Sequence, residues 1–339
     1  MKKLFTLLLS FTIAITAFAQ KSVNNGFTNK AEAKNLMVNG MKEGKWMEHM
    51  KFKVDSVQQV HFTVTADTNT PVYCLTIYKN DKPLGVQRVY MKNGTVAIVT
   101  PYTNGKKNGI EKWYKQNGKL DISVPYKDGK KEGVEKHFNA KGIVLMENPY
   151  KNDLLDGIHK GYSDEGKLTN IETYSKGKIT GTSKSYYDNG TLMAEVTYTS
   201  EGKKNGMDKR YNEKGILKDE IPYTDGVRNG IEKMYSDSSK LMIELPFKDG
   251  KRNGVAKNYY PDGKLSGENL FADDKMNGFG KMYYEDGGLQ MEENYTDGKH
   301  NGTCKEYYEN GTTLKMELVY DNGKVVSTKM YDKQGNEIK

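Results

Sequence analysis

The sequence is poor in the residues that usually mark catalysis, metal binding or covalent cross-linking. Among 339 residues there are two cysteines and five histidines, and the histidines do not share one spacing. No G-x-S-x-G nucleophile motif, phosphate-binding loop or dinucleotide-binding fingerprint occurs. We therefore expect no catalytic residues, no metal site and no cofactor.

A large excess of one charge is also lacking. Lysine and arginine total 52 against 44 aspartates and glutamates, a net charge of +8, and they form no dense basic cluster, so a nucleic-acid partner is not indicated. With 36% hydrophobic and 28% charged residues the chain is too polar for one thick core, whereas 11% aromatic residues is too many for disorder. These proportions favour a thin, ordered architecture.

Long apolar runs are confined to residues 1–19. Lys2 and Lys3 precede an apolar stretch that ends in the small-x-small sequence at 17–19, which is the pattern of a cleaved secretory signal peptide. The run is short for a membrane span, no second one follows, and no cysteine follows the cleavage site to carry a lipid. We expect a mature chain that begins at Gln20, has no transmembrane segment and is exported to the periplasm, the cell surface or the medium.

Turn-forming and aromatic residues recur with a period of 24. The consensus is Y-x-D-G-K-x-N-G-I-x-K-x-Y-x-x-N-G-x-L-x-x-E-x-P, and a fixed period in the range of roughly 20–50 residues predicts a repeat array. The repeats begin at Tyr78, Tyr102, Tyr126, Tyr150, Tyr174, Tyr198, Tyr223, Phe247, Phe271, Tyr295 and Tyr320. The repeats that begin at Tyr198 and Tyr295 each carry one extra residue.

Glycines recur at positions 8 and 17 of the repeat. Asn-Gly and Asp-Gly accept positive φ and close tight hairpins, so we expect two turns and two short strands in each repeat. The position-8 glycines, which we assign as structural turn residues, are Gly85, Gly109, Gly133, Gly157, Gly181, Gly206, Gly230, Gly254, Gly278 and Gly302.

Between the turns, apolar residues alternate with polar ones, as in half-buried strands. An aromatic residue opens every repeat, and proline precedes it in five cases, where it would end the pairing of the second strand. A second aromatic row occupies position 13: Tyr90, Tyr114, Phe138, Tyr162, Tyr186, Tyr211, Tyr235, Tyr259, Tyr283 and Tyr307. Stacked hairpins could bury both rows against their neighbours.

The sequence therefore predicts an all-β fold, an elongated single-layer array of about 11 antiparallel β-hairpin repeats over residues 78–339. Residues 20–77 contain one degenerate repeat, VNGMKEGKW, and are expected to cap the first edge of the array. Residues 1–19 are the expected signal peptide.

Position 11 is basic in ten successive repeats, and this row is the candidate binding surface. Counting alternate residues places each basic side chain on the same face as the aromatic at position 13, so its stem could pack over that ring. Alternatively, the row could bind an anionic polymer or an acidic partner. The glutamates at position 22 fall, by the same count, on the opposite face. The basic row is Arg88, Lys112, Lys136, Lys160, Lys184, Lys209, Lys233, Lys257, Lys281 and Lys305.

The histidines and cysteines are too far apart in such an array to act together. His137 and His159 come nearest to pairing, but in neighbouring repeats they would lie about 10 Å apart, too far to share a metal. Cys74 and Cys304 would be separated by about 90 Å in an extended array. We therefore predict no intramolecular disulfide.

The phrase D-G-K-x-N-G-x-x-x-x-Y resembles MORN repeats, in particular the bacterial MORN-variant proteins grouped as YwqK-type antitoxins of toxin–antitoxin pairs. The phrase occurs at Asp128–Phe138, Asp249–Tyr259 and Asp297–Tyr307, and the resemblance covers residues 78–339. It implies an antiparallel hairpin array with a binding role, with proteins or lipid headgroups as partners.

We expect a non-catalytic, exported repeat protein that offers an extended surface to a protein or glycan partner. Two alternatives stay open: an antitoxin that neutralises a toxin protein by direct binding, and a protein that binds anionic lipid headgroups at a membrane surface. The export signal argues against an antitoxin that acts in the cytoplasm.

Overall fold

The computed structural model describes residues 26–54, 60–66, 68–70 and 72–338. The predicted signal peptide, residues 1–19, lies outside this part of the chain. Two compact bodies are present: an N-terminal body of Met1–Leu120 and Pro125–Lys130, and a C-terminal body of Asp121–Val124 and Lys131–Lys339. Among the described residues, no helix is long and apolar enough to cross a bilayer.

The described part of the N-terminal body contains a short 3-10 helix, Lys30–Glu32, that precedes the strands. Its strands are β1 (Leu36–Val38), β2 (Met41–Val54), β3 (Val60–Thr65), β4 (Val72–Lys79), β5 (Lys82–Tyr90), β6 (Val96–Thr103), β7 (Lys106–Lys107) and β8 (Gly109–Tyr114). The degenerate repeat forms the β1–β2 hairpin, and β2 continues along β4 in antiparallel register.

The C-terminal body repeats one strand pattern. Its strands are β11 (Gly133–Phe138), β12 (Val144–Lys151), β13 (Leu154–Leu155), β14 (Gly157–Tyr162), β15 (Leu168–Ser175), β16 (Lys178–Tyr186), β17 (Leu192–Tyr198), β18 (Gly206–Tyr211), β19 (Leu217–Thr224), β20 (Val227–Arg228), β21 (Gly230–Tyr235), β22 (Leu241–Lys248), β23 (Lys251–Arg252), β24 (Gly254–Tyr259), β25 (Leu265–Ala272), β26 (Lys275–Tyr283), β27 (Leu289–Thr296), β28 (Lys299–His300), β29 (Gly302–Tyr307), β30 (Leu314–Asp321), β31 (Lys324–Tyr331) and β32 (Glu337–Ile338). Two strands, β9 (Leu120–Lys127) and β10 (Lys130–Lys131), contribute residues to both bodies.

Each repeat is a hairpin that pairs antiparallel with the next. In the repeat that begins at Tyr223, β21 pairs with β22 in the same repeat and with β19 of the preceding one. The predicted fold class, an all-β array of antiparallel hairpins, is confirmed. The first turn is stacked on the preceding repeat because the Gly226 amide donates to the Lys204 carbonyl at 2.7 Å.

The sequence pattern assigned the position-8 glycines to hairpin turns. This is wrong, because they form a kink within the first strand. The hairpins close instead at the first and second turns, through glycines such as Gly226 and Gly215. At the kink, Gly230 has φ of +119°, and an added Cβ would lie 3.1 Å from Cγ of Pro222. Only glycine adopts this backbone without strain, so the row is required for the kink, and at Gly109, Gly157, Gly230 and Gly254 also for close contact with proline.

The largest apolar cores lie in the N-terminal body. Met50, Val72, Cys74 and Ile98 belong to one cluster of buried residues, and Leu75 lies at the centre of another with no exposed surface. Here β2 to β6 carry apolar residues on successive strands, whereas the C-terminal repeats are more polar. Apolar burial therefore stabilises the N-terminal body most, and the repeats depend more on polar contacts.

Candidate binding surface

The basic residues at position 11 lie directly opposite the glutamates at position 22. Lys233 is the register partner of Glu244 in its own hairpin and of Glu220 in the preceding one. The expectation that these glutamates face the other side of the sheet is wrong. Counting alternate residues fails across a turn, because the register of the hairpin, with its bulge at Met234/Tyr235, decides which residues share a face.

Together these residues form one row across the C-terminal body, which we call the lysine–glutamate ladder. In strand order it is Lys136, Glu147, Lys160, Ile171, Lys184, Glu195, Lys209, Glu220, Lys233, Glu244, Lys257, Glu268, Lys281, Glu292, Lys305, Glu317 and Lys329. Only Ile171 interrupts the alternation of charge.

Several rungs of the ladder are ion pairs. The ammonium of Lys136 lies 2.8 Å from the carboxylate of Glu147, and that of Lys233 lies 3.6 Å from Glu244. The pairs Lys184–Glu195 and Lys209–Glu220 have distances of 3.7 and 3.6 Å. The glutamates therefore cancel most of the positive charge that the sequence had suggested for this face.

The position-13 tyrosines also bind the ladder glutamates. The hydroxyl of Tyr259 donates to Glu244 at 2.8 Å, and that of Tyr283 donates to Glu268 at 2.9 Å. Burial, together with the hydrogen bond to the carboxylate, raises the pKa of both tyrosines to about 12. Four members of the predicted aromatic row, Tyr162, Tyr235, Tyr259 and Tyr283, thus act as hydrogen-bond donors to ladder glutamates.

Among the described residues of the N-terminal body, apolar residues lie opposite the cations of the same row. Arg88 has Leu75 and Val99 as register partners, and Lys112 has Val99. One guanidinium nitrogen of Arg88, Nη1, is buried without a hydrogen-bond partner. Alternation of charge is therefore a property of the C-terminal repeats.

A row of exposed apolar side chains runs beside the ladder at position 9 of the repeat. We call Val134, Ile158, Met207 and Ile231 of the C-terminal body the apolar stripe; their exposed fractions are 43, 55, 41 and 48%. Pro149, Pro222 and Pro246 lie opposite three of them in the neighbouring strands. Within the described residues no second layer covers this face, so the stripe is an apolar surface of the kind that binds partners.

The other face of the sheet carries a buried contact that the sequence reading missed. Lys131 at position 6 lies 2.6 Å from Glu135 at position 10, and its ammonium lies 4.5 Å from the centre of the Tyr150 ring. Equivalent trios are Lys204, Asp208 and Tyr223, and Arg228, Glu232 and Phe247. The cations that pack over rings are thus mainly those of position 6, although Lys281 of the ladder lies 5.8 Å from the Phe279 ring.

These trios leave a signal in the sequence. A basic residue at position 6 is followed four residues later by an acidic one in the repeats that contain Lys107, Lys131, Lys204 and Arg228. Glu111, Glu135, Asp208 and Glu232 are each at most 6% exposed, and a buried carboxylate needs a charged partner. The paired occurrence of the two charges would have predicted the contact.

His137 and His159 belong to one polar network around Glu135. His137 Nε2 lies 2.8 Å from Glu135, whose carboxylate also accepts from the Asn148 amide at 3.4 Å. The Oδ1 atom of Asn148 lies 2.7 Å from His159 Nδ1. Burial alone would raise the pKa of Glu135, but the hydrogen bonds from His137 and Lys131 outweigh it and lower that pKa to about 2. The network is a structural element of the buried face.

The described residues offer no group of three metal-ligating side chains. Cys74 and Cys304 are free and buried, one in each body. Burial, together with the nearby Glu48 carboxylate, raises the pKa of the Cys74 thiol to about 12, which makes this thiol a poor nucleophile.

Comparison with known proteins identifies the repeat. Seven segments match the model of the MORN repeat variant: residues 107–128, 131–152, 179–199, 228–249, 252–273, 277–297 and 301–318. Repeats of this kind are generally non-catalytic and mediate binding or scaffolding. No curated protein matches the sequence.

The chain also resembles parts of much larger solved structures. A crystal structure of TcdB2-TccC3-Cdc42 is 13% identical with a TM-score of 0.17, and the match covers 92% of this chain and 20% of that one. The Photorhabdus luminescens Tc holotoxin pore is 12% identical with a TM-score of 0.16, over 85% of this chain and 18% of that one. The chain spans about a fifth of the length of these structures.

Proposed function

We propose that this chain, whose repeats match the MORN repeat variant, is an exported, non-catalytic scaffold that binds a protein partner through the apolar stripe. The observation that carries this proposal is the exposure of Val134, Ile158, Met207 and Ile231 in one row. Thr182 occupies the same position between Ile158 and Met207, so the row has two parts, Val134 with Ile158 and Met207 with Ile231, and exposed apolar patches of this kind mark interaction sites. The adjacent ladder supplies the polar rim that protein interfaces have.

The charge of the ladder favours a protein over an anionic polymer or a lipid surface. Anionic ligands need uncompensated cations, whereas Lys136, Lys184, Lys209 and Lys233 are each paired with a glutamate. Alternating charges instead suit a partner with alternating charges of its own, because each misaligned pair would bring like charges together. The ladder then contributes specificity and the stripe contributes apolar contact area.

Site-specific photo-crosslinking in the native host tests the surface. A photo-crosslinking residue at Ile158 or Ile231 should capture one protein, whereas the same residue at Leu154 or Val227 should not. Leu154 and Val227 are matched controls, because they are 50 and 43% exposed, apolar, and four residues away in the same two repeats. Equal capture at all four positions would overturn the proposal.

Export is tested by the intact mass of the protein from fractionated cells. A chain that begins at Gln20 in the periplasmic, surface or medium fraction supports an envelope or extracellular partner. A full-length chain in the cytosol, co-purifying with a toxin, would contradict export and support an antitoxin that binds a toxin directly.

A further inference from the structure

A second group of tyrosines lies at the edge formed by the second hairpin turns, away from the apolar stripe. Position 14 is tyrosine in three successive repeats, and each hydroxyl donates to a backbone carbonyl of the following repeat. These edge tyrosines are Tyr260, Tyr284 and Tyr308, which donate to the carbonyls of Tyr283, Tyr307 and Tyr331 at 2.6, 2.8 and 2.8 Å. The rings are thus held in place before any ligand binds, which reduces the entropic cost of binding.

Tyr284 and Tyr308 line an open groove of about 380 Å³. The other side chains that line it are Glu309, Asn310, Lys315 and Lys333. Two half-buried aromatic rings with a few polar groups beside them are typical of binding grooves. Neither the ladder nor the stripe contributes to this groove.

We propose that the edge tyrosines bind a proline-rich segment in the polyproline II conformation. The spacing of the tyrosines carries this inference. One repeat advances two strands, about 10 Å along the sheet, and one turn of polyproline II, three residues, advances about 9 Å. A segment with proline at every third position would therefore bring one proline to each interval between the edge tyrosines.

The polar groups of the groove suit such a segment. Polyproline II has no internal hydrogen bonds, so its carbonyls are free to accept from the Lys333 ammonium and the Asn310 amide. Glu309 lines the groove, and its carboxylate favours a basic residue next to the prolines. Aromatic-lined grooves recognise proline-rich ligands in this way in unrelated domains.

Peptide binding by fluorescence anisotropy tests the proposal on the full mature chain. The probe is a labelled peptide with proline at every third position and an arginine at one end. It should bind roughly tenfold more tightly than an isomer of the same composition with its prolines clustered. Equal affinity for the two peptides would overturn the spacing argument, and this comparison needs no variant of the protein.

Variants then locate the site. Replacing Tyr284 and Tyr308 together by leucine should weaken binding roughly tenfold, while Tyr187→Leu should leave it unchanged. Tyr187 is a matched control, because its hydroxyl makes the same bond to a following repeat, at 2.8 Å, but Ser163 and Asn212 occupy position 14 on either side.

Two further measurements keep the inference falsifiable if the leucine variant is unstable. The variant with Tyr284→Phe and Tyr308→Phe keeps the ring faces and should retain binding. Soluble β-linked oligosaccharides also stack on aromatic rings, so they are measured in parallel. Binding of an oligosaccharide with no binding of the spaced peptide would assign the groove to a glycan and reject the peptide.

Discussion

Lys131 and Glu135 are four residues apart in one extended segment, yet their charged groups lie 2.6 Å apart. In a regular strand, residues four apart would be separated by about 13 Å. The kink at Gly133, with φ of +115°, shortens that path and brings positions 6 and 10 together. The buried ion pairs therefore depend on the kink that the position-8 glycines form.

Loss of the Glu135 carboxylate should destabilise the C-terminal body at neutral pH. Glu135 is 6% exposed, so Glu135→Gln would leave the Lys131 ammonium without its carboxylate, at a cost of about 1–3 kcal/mol in the free energy of unfolding. Thermal unfolding followed by circular dichroism at pH 7 measures this cost. Glu213→Gln, at an exposed position, is the control and should have little effect.

The same carboxylate should make stability depend on pH in the acid range. Its pKa is lowered from 4.5 to about 2 in the folded state, so the unfolded chain takes up the proton first as pH falls. The stabilising contribution is therefore present above about pH 4.5 and is lost as pH falls towards about pH 2. The Glu135→Gln variant should show a shallower loss of stability in this window, and a loss identical to that of the wild type would contradict the assignment.

The kink glycines should not tolerate alanine. Gly230→Ala combines a backbone with φ of +119° and a Cβ 3.1 Å from Pro222, for which we expect a cost of about 1–3 kcal/mol. Gly206→Ala separates the two causes, because Gly206 has φ of +94° but no atom within 4 Å of the added Cβ. Urea unfolding should rank Gly206→Ala as the milder change; the reverse order would show that contact with proline is unimportant.

The fold was predictable because its signals are local and repeated. A dipeptide such as Asp225-Gly226 favours a tight turn wherever it occurs, and turn-forming dipeptides recur with the period of 24 residues. Which residues share a face was not predictable in the same way. Lys233 and Glu244 face each other because of a register that includes a bulge, and a bulge inserts one residue that no count of alternate positions reveals.

The candidate surface was predicted in part. The basic row was visible in the sequence because a basic residue recurs at position 11 of ten successive repeats. Its interpretation as a cationic surface changes, because Glu244 and the equivalent glutamates lie beside it. The exposure of Ile231 could not be predicted from the sequence. Apolar and polar residues alternate in the same way whether or not a second layer covers the apolar face of the sheet.

The ladder tyrosines should make the protein sensitive to alkali. Burial and hydrogen bonds to ladder glutamates together raise the pKa of Tyr235, Tyr259 and Tyr283 from 10.0 to about 12. Above pH 10 the unfolded chain releases these protons before the folded chain does. The stability that is present below pH 10 should thus fall as pH rises towards about 12. Replacing the three tyrosines by phenylalanine should flatten this decline, as measured by denaturant unfolding between pH 8 and about pH 11; an unchanged slope would contradict the role of the tyrosines.

Ladder lysines should contribute to stability, in addition to the polar rim that they form beside the apolar stripe. The ammonium of Lys209 lies 3.6 Å from Glu220 and that of Lys233 lies 3.6 Å from Glu244, and cross-strand pairs of this kind contribute about 0.2–1 kcal/mol each. Replacing both lysines by glutamine should lower the thermal midpoint slightly, and salt should reduce the difference because it screens the pairs. Lys151→Gln with Lys248→Gln removes the same charge from exposed positions and should have a smaller effect. If the ladder variant keeps its stability but loses photo-crosslinking at Ile231, the lysines act only through the partner and not on the fold, because only a contact with the partner would weaken capture without weakening the fold.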